Sequence, residues 1–162
     1  MKNYSGAIAL ASTIVWFIIT AYGTFINFIT GAPNSDCYPY LGCSAGFFGY
    51  DAIEHFLFGF TTVWIIVWLC GKFPKYSILN EQYWKTALTL VAIFALIGVC
   101  WEIIEYSRDS FFINVMHQTL INVRLHTNHL LQPSNSDTMG DLVFGLIGAI
   151  TAASFLHHNL KR

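Results

Sequence analysis

Charged side chains are scarce in this sequence of 162 residues. Asp, Glu, Lys and Arg together make up 10% of the chain, whereas soluble globular domains contain about 25%. The sequence has no basic cluster of the kind that binds nucleic acid, and it has no internal repeat or low-complexity segment. It also lacks histidine-rich boxes near the predicted cytoplasmic face, which argues against a membrane di-iron oxygenase. These absences disfavour a soluble protein and give no indication of a nucleic-acid partner.

Apolar residues dominate instead, since 55% of the chain is hydrophobic and 17% is aromatic. A helix needs about 20 mostly apolar residues to span a bilayer, and the sequence contains four such windows: residues 7–30, 50–70, 86–106 and 137–157. The first window is longer than the apolar core of a signal peptide, and we expect it to be retained. The sequence therefore predicts an all-α fold, with residues 1–162 forming one integral membrane domain of four transmembrane helices.

The basic residues predict the orientation of these helices, because short cytoplasmic loops are enriched in Lys and Arg. If the N-terminus is cytoplasmic, Arg108 and Arg124 lie outside and the other six basic residues lie inside: Lys2, Lys72, Lys75, Lys85, Lys161 and Arg162. We therefore expect a multi-pass protein of the cell (inner or plasma) membrane, with both termini in the cytoplasm.

In this orientation, acidic residues gather at the outer ends of the last three helices. Asp51 and His55 are four residues apart, and Glu54 lies at the same end of that helix. The other two helices carry Glu102, Glu105 and Asp109 at intervals of three and four, and Asp137 and Asp141 four apart. Residues at such spacing share a helix face. Three of these residues fall about one turn inside the hydrocarbon, where an ionised carboxylate costs about 2.5–3.5 kcal/mol: His55, Glu102 and Asp141. Such residues are expected to face the bundle interior, although any single acid is equally explained as a solvated helix end.

Glycines lie one turn deeper on the same faces, at Gly59, Gly98, Gly145 and Gly148. Small residues allow membrane helices to approach one another closely. The three polar faces are therefore predicted to converge above a tight contact, forming a buried polar pocket that is open to the outer side.

Carboxylates held together repel one another unless protons or a cation neutralise them. Oxygen ligands suit Mg²⁺, Ca²⁺ or Mn²⁺, and a set that includes imidazole also accepts Zn²⁺ or Fe²⁺. The candidate metal ligands are Glu102, Glu105, Asp109, Asp137 and Asp141. His55 is the candidate proton carrier, because imidazole titrates near neutral pH, and Asp51, Glu102 and Asp141 complete the candidate catalytic set. Alternatives are a packed structural histidine at position 55 and a helix cap at Asp137.

The outer loops contain further candidates. Arg108 and Arg124 are predicted to bind phosphate, for which a guanidinium group is suited, or else to be exposed charges or partners of the acids. The segment "SFFINVMHQTLINVRLHTNHLLQ" has apolar residues at helical spacing and is predicted to be an amphipathic helix or lid on the outer leaflet, or a surface loop without such a role. Cys37 and Cys43 are predicted to form a disulfide in an oxidising compartment, with two free thiols as the alternative.

Three segments, "DAIEHFLFGF", "WEIIEYSRDSFF" and "SDTMGDLVFGLIGAI", resemble the signature segments of the YjdF-like family of small bacterial multi-span membrane proteins, a family of unknown function with a more distant similarity to VanZ-like proteins. The matching motif positions are Asp51, His55, Glu102, Glu105, Asp109, Asp137 and Asp141. Where many relatives have a further acid, this chain has Gly145. VanZ-like proteins are associated with glycopeptide resistance, and the wider grouping implies action on lipid head groups or lipid-linked cell-wall intermediates.

The preferred interpretation is a membrane enzyme, with a membrane lipid as its partner, that acts on a phosphate-linked lipid head group or a lipid-linked envelope intermediate at the outer leaflet. A divalent cation (Mg²⁺, Ca²⁺, Mn²⁺ or Zn²⁺) would polarise the phosphoryl group. The alternatives are an ion or proton-coupled transport protein, since intramembrane acids also form ion pathways, and a non-catalytic membrane subunit. A homo-oligomer is compatible with each of these interpretations.

Overall fold

The computed structural model describes residues 4–30, 37–38, 42–43, 50–79, 82–111 and 135–160. Most of these residues belong to four long helices, α1 (Tyr4–Thr30), α2 (Tyr50–Lys72), α3 (Tyr83–Phe111) and α4 (Asn135–Leu160). At 1.5 Å per residue the helices are about 35–44 Å long, which exceeds the roughly 30 Å of a bilayer's hydrocarbon core. All four are long and apolar enough to cross a membrane. The predicted all-α fold with four spans is therefore confirmed.

The helices extend beyond the predicted windows at most of their ends. Helix α3, for example, begins at Tyr83 and ends at Phe111, whereas its apolar window covers residues 86–106. Hydropathy identifies the part of a helix that crosses the hydrocarbon, and polar residues at either end continue the same backbone hydrogen bonding. The windows therefore correspond to the apolar parts of the helices and leave out their polar ends.

Helices α2 and α3 are joined by a short connection that contains a 3₁₀ turn, Pro74–Tyr76. Proline has no backbone N–H and cannot continue an α-helix, which accounts for the end of α2 just before Pro74. The Phe73 N–H donates to the Leu69 carbonyl at 2.8 Å, and the Ser77 N–H donates to the Pro74 carbonyl at 3.2 Å. Lys72 and Lys75 are exposed here, as expected for a connection outside the hydrocarbon.

Two further short elements lie between α1 and α2. Strand β1 (Cys37–Tyr38) pairs in antiparallel fashion with β2 (Gly42–Cys43), so that Cys37 lies opposite Cys43. A strand of two residues is too short to show a periodic pattern, so this strand pair could not be predicted from the sequence. The side chains of both cysteines lie outside the described part of the chain, and their disulfide stays a prediction. The predicted amphipathic segment also lies outside it from residue 112 onward.

Helix α2 packs against α1 on one side and, more extensively, against α4 on the other, while α3 packs mainly against α4. The α2–α4 contact is close because glycines face backbone. A Cβ atom at Gly59 would overlap the Gly145 carbonyl oxygen, and one at Gly148 would overlap the Phe56 carbonyl oxygen. The predicted tight glycine contact is thus confirmed for α2 and α4.

The core of the bundle is apolar and almost fully buried. Its most deeply buried members, each at most 1% exposed, are Val63, Val67, Leu90, Ala149 and Ala152. Large apolar side chains such as Phe17, Leu88 and Leu96 are instead 68%, 63% and 65% exposed. Such a surface suits hydrocarbon, where backbone polar groups must be satisfied within the helices and apolar side chains face the lipid.

Helices α3 and α4 run antiparallel. The Tyr83 hydroxyl at the start of α3 donates to the Ala153 carbonyl near the end of α4 at 3.0 Å. The end of α3 therefore lies beside the start of α4. This arrangement brings Glu102 and Asp141 to the same end of the bundle.

Candidate metal centre

Three polar side chains from three helices meet at one end of the bundle. His55 of α2 offers a ring nitrogen, and Glu102 of α3 and Asp141 of α4 each offer a carboxylate oxygen; these three atoms lie within 4.8 Å of one another. The structure has long apolar stretches at Ala52–Lys72, Tyr83–Arg108 and Thr138–Leu156, and the three residues lie three to six residues from the ends of these stretches. The predicted convergence of the polar faces of α2, α3 and α4 is thus observed for these side chains, which we call the triad.

The triad is shielded from the surroundings of the bundle. Glu102 and Asp141 are 7% and 6% exposed, and the His55 side chain is 18% exposed. Two carboxylates at this depth are costly unless they meet a partner. The His55 Nε2 atom lies 3.5 Å from Asp141 Oδ1, which is longer than the usual 2.7–3.2 Å of an N–H···O hydrogen bond. At this distance the two groups can form an ion pair if His55 is protonated, or can share a cation.

The backbones that carry His55 and Asp141 are held together by the glycine contact one turn deeper. Gly145 follows Asp141 by four residues and Gly59 follows His55 by four, and these two glycines face each other across α2 and α4. Larger residues at either position would separate the helices and draw the two ligand atoms apart. The glycines thus set the spacing of the His55–Asp141 pair.

Gly98, one turn below Glu102, makes a different kind of contact. A Cβ atom there would lie 3.3 Å from Leu142 Cδ2, so α3 approaches a side chain of α4 and not its backbone. The contact nevertheless joins the turn below Glu102 to the residue next to Asp141. Because a side chain can rotate and backbone cannot, this contact fixes the position of Glu102 less tightly than the glycine contact fixes His55 and Asp141.

Aromatic rings lie beneath the triad. The Phe58 ring lies 5.7 Å from the Phe94 ring, 5.5 Å from the Trp16 ring and 6.3 Å from the Trp101 ring, measured between centroids. Phe94 is 2% exposed, and its ring would be 2.8 Å from a Cβ atom at Gly145. Apolar rings therefore separate the triad from the interior of the bundle.

Glu105 was predicted as a metal ligand but lies outside the triad. Its Oε1 atom accepts a hydrogen bond of 2.7 Å from the Trp101 indole N–H, one turn earlier on α3. The Glu105 side chain is partly buried, and that of Arg108 is exposed near the end of α3. The remaining predicted site residues have side chains outside the described part of the chain, and their roles stay predictions: Asp51, Asp109, Asp137 and Arg124.

The hydrogen bond between Trp101 and Glu105 and the aromatic contacts of Phe58 were not predicted from the sequence. Trp101 and Glu105 are four residues apart in "WEIIE" and therefore share a helix face, so the spacing alone could have indicated this contact. Phe58 and Phe94 belong to different helices, and no local spacing reveals that they touch. These aromatic residues were not candidates for binding chemistry.

Comparison with known proteins assigns the chain to a family. A family described as "Predicted membrane protein (DUF2238)" matches residues 5–162. No curated protein and no solved structure matches the chain. The family match confirms the resemblance to a membrane protein family of unknown function, while the more distant similarity to VanZ-like proteins stays a prediction. Together with the four apolar helices, it assigns the chain to multi-pass membrane proteins.

Proposed function

We propose that this chain, which belongs to the DUF2238 family of predicted membrane proteins, is a membrane-embedded enzyme that acts on a phosphate-linked lipid head group or a lipid-linked envelope intermediate. One observation carries the proposal: the ligand atoms of His55, Glu102 and Asp141 lie within 4.8 Å of one another at one end of three apolar helices. A buried mixed cluster of this kind is a candidate site for cation-assisted chemistry, and phosphoryl groups are substrates that such chemistry suits.

The charges of the triad support a divalent cation as the cofactor. Glu102 and Asp141 are both more than nine-tenths buried, and two carboxylates so close together need positive charge or protons to be stable. A divalent cation would neutralise both and would polarise a phosphoryl oxygen. His55 would act beside it, either as a ligand or as a proton carrier, and Asp51 is proposed to position the imidazole.

The depth of the triad supports a lipid as the substrate. His55 and Asp141 each lie three residues from the start of an apolar stretch, Ala52–Lys72 or Thr138–Leu156, and Glu102 lies six residues from the end of Tyr83–Arg108. At 1.5 Å per residue these distances are about 5–9 Å, so the triad would lie a short way below the lipid head groups if these stretches fill the hydrocarbon. A phosphate-linked head group has to descend only a short way to reach the triad. Arg108 and Arg124 are proposed to bind its phosphate.

The positions of the lysines support a site on the outer side of the cell membrane. Lys72, Lys75 and Lys85 are exposed around the α2–α3 connection, at the opposite end of α2 from His55. Because Lys and Arg favour cytoplasmic loops, this connection is proposed to be cytoplasmic, together with both termini. The triad would then act at the outer leaflet.

The core on the other side of the triad favours an enzyme over a transport protein. Val63, Val67 and Leu90 are at most 1% exposed, so apolar side chains make up most of the described core between the triad and the opposite end. Thr61 and Thr86 are buried polar side chains in this part of the bundle. An ion path requires polar groups or water along its length, and two threonines do not supply a continuous one. Among the described residues of one protomer, the triad therefore has the form of a dead-end site.

The experiment is a turnover assay on the purified full-length protein in vesicles of phosphatidylethanolamine and phosphatidylglycerol, repeated with a polyprenyl diphosphate. The assay measures release or exchange of phosphate-bearing head groups by mass spectrometry, with and without a chelator. We expect turnover that the chelator stops and that Glu102→Gln and Asp141→Asn abolish. Ser154→Ala is the matched control, because the Ser154 hydroxyl donates only to the Ile150 carbonyl of its own helix among the described contacts, at 2.8 Å, and is exposed.

Folding of each variant is checked by circular dichroism and by gel filtration in detergent. Folded protein that turns over none of these lipids, with any divalent cation, would contradict the proposal. Cation flux into sealed vesicles without lipid turnover would support transport instead.

A further inference from the structure

We infer that the triad binds a transition metal of the zinc class, with His55, Glu102 and Asp141 as three protein ligands and a fourth position open to the substrate. The inference rests on the proposed function in taking a cation to be the cofactor, and it names the class of that cation. It also assigns His55 as a ligand and not as a free proton carrier.

The donor atoms favour this class of metal. Mg²⁺ and Ca²⁺ are hard cations that select oxygen ligands, whereas imidazole nitrogen suits Zn²⁺, Fe²⁺ and other first-row metals. The triad offers one ring nitrogen and two carboxylate oxygens. Mg²⁺ or Ca²⁺ would leave the His55 nitrogen without a role as a metal ligand.

The distance between the ligand atoms of His55 and Asp141 also agrees with zinc. His55 Nε2 and Asp141 Oδ1 are 3.5 Å apart. Tetrahedral Zn²⁺ has metal–ligand bonds of about 2.0–2.1 Å, which separate any two ligand atoms by about 3.3–3.4 Å. Octahedral Mg²⁺ with similar bond lengths places neighbouring ligands only about 2.9 Å apart. The observed His55–Asp141 distance therefore agrees with a zinc tetrahedron and disfavours Mg²⁺. Ca²⁺, with bonds of about 2.3–2.6 Å, would also place neighbouring ligands about 3.3–3.7 Å apart, so it is the imidazole donor that disfavours Ca²⁺.

The formal charges balance as well. Two carboxylates and one neutral imidazole carry a charge of −2, which a divalent cation cancels. A neutral complex avoids the large cost of burying net charge in an apolar environment. A protonated His55 without a metal would cancel only one of the two carboxylates.

Among the side chains that the structure describes, the number of ligands agrees with a site that binds substrate. Structural zinc sites have four protein ligands, and catalytic sites have three with an open fourth position. Glu105, the acid one turn after Glu102, accepts a hydrogen bond of 2.7 Å at its Oε1 atom from the Trp101 indole N–H and does not extend the triad. The open position would receive a water molecule or a phosphoryl oxygen of the lipid.

The test measures metal selectivity directly. The purified full-length protein in detergent is stripped with a chelator and titrated separately with Zn²⁺, Co²⁺, Mn²⁺, Mg²⁺ and Ca²⁺, while bound metal and melting temperature are measured. We expect about one zinc per chain and little stabilisation by Mg²⁺ or Ca²⁺. The cobalt-loaded protein should show the strong visible absorption of a tetrahedral site, which does not depend on any activity.

Variants then assign the ligands. Loss of an outer-shell partner alone costs about 10- to 100-fold in metal affinity, so we expect His55→Ala, Glu102→Gln and Asp141→Asn each to weaken zinc binding by about 100-fold or more. Ser154→Ala should leave the affinity unchanged. The selectivity series on the unmodified chain needs no variant, so it remains decisive even if a substitution prevents folding.

The outcomes separate this inference from the proposed function. Preference for Mg²⁺ or Ca²⁺ over Zn²⁺, or zinc binding that survives His55→Ala, would overturn the zinc assignment while the lipid assay could still succeed. Absence of any bound cation would overturn it too, and metal-independent lipid turnover would then leave only the substrate part of the proposed function standing. Zinc binding without lipid turnover would support the site and contradict the enzyme.

Discussion

Replacing Gly148 with alanine should destabilise the bundle, because the new methyl group has no room. Its Cβ atom would overlap the Phe56 carbonyl oxygen and would also lie 3.0 Å from the Phe60 backbone nitrogen. Backbone atoms cannot rotate away as a side chain can, so α2 and α4 must separate. Overpacking a well-packed core usually costs about 1–3 kcal/mol, and the upper part of that range applies where backbone is the obstacle.

Gly71→Ala is the matched control. Gly71 lies near the end of α2, and a Cβ atom there would have nothing within 4 Å. Alanine is favoured over glycine in a helix by about 1 kcal/mol, so this variant should be neutral or slightly stabilised. The two substitutions are chemically identical and differ only in the surroundings of the added methyl group.

The assay is thermal unfolding of both variants in the same detergent. A loss of about 3 kcal/mol corresponds to a fall of about 6–12 °C in Tm for a chain of this size, whereas Gly71→Ala should not lower Tm. The Gly148→Ala variant should also bind zinc more weakly, because separation of α2 and α4 moves His55 away from Asp141. Equal melting temperatures for the two variants would refute the close backbone contact.

Two further predictions concern the surroundings of the triad and the loop after α1. Trp101→Phe removes the 2.7 Å hydrogen bond to Glu105 Oε1 but keeps a ring for the contact with Phe58. The net cost of about 1 kcal/mol should lower Tm by about 2–4 °C. Trp84→Phe, on the exposed first turn of α3, is the control, and an equal fall of Tm in both variants would show that the hydrogen bond contributes nothing. Cys37 and Cys43 lie directly opposite each other, at a separation of about 4.5–5.5 Å between Cα atoms for such pairs that falls within the range for disulfides. Of the four cysteines, therefore, only Cys70 and Cys100, which are free thiols, should be alkylated in unreduced, denatured protein, and mass spectrometry showing four labels would contradict the disulfide.

The four spans could be predicted from the sequence because the physical requirement is simple. Each window had to supply about 20 apolar residues in a row, and that condition is local. The ends of the helices could not be predicted equally well, since α3 continues through "EYSRDSF" to Phe111 although several of these residues are polar. Packing order is also non-local: the extensive contact between α2 and α4 joins elements that are separated along the chain by α3.

The triad was predictable for a different reason. A carboxylate one turn inside the hydrocarbon is costly, so Glu102 and Asp141 had to meet a partner, and the periodicity of each helix restricted the face on which it lay. His55 fell at the same level on a third helix. The free-energy cost of burying these residues in an apolar environment, and not any similarity of sequence, was the signal that predicted the cluster.

The same reasoning could not separate Glu102 from Glu105. Both acids lie on neighbouring positions of one helix face, and spacing alone assigns them the same role. Their different environments arise from tertiary contacts: Glu102 faces α2 and α4, with 7% of its surface exposed, while Glu105 accepts a hydrogen bond from Trp101, which is itself 46% exposed. Sequence spacing therefore identifies the helix face on which the two acids lie, and tertiary contacts decide which of them joins the triad.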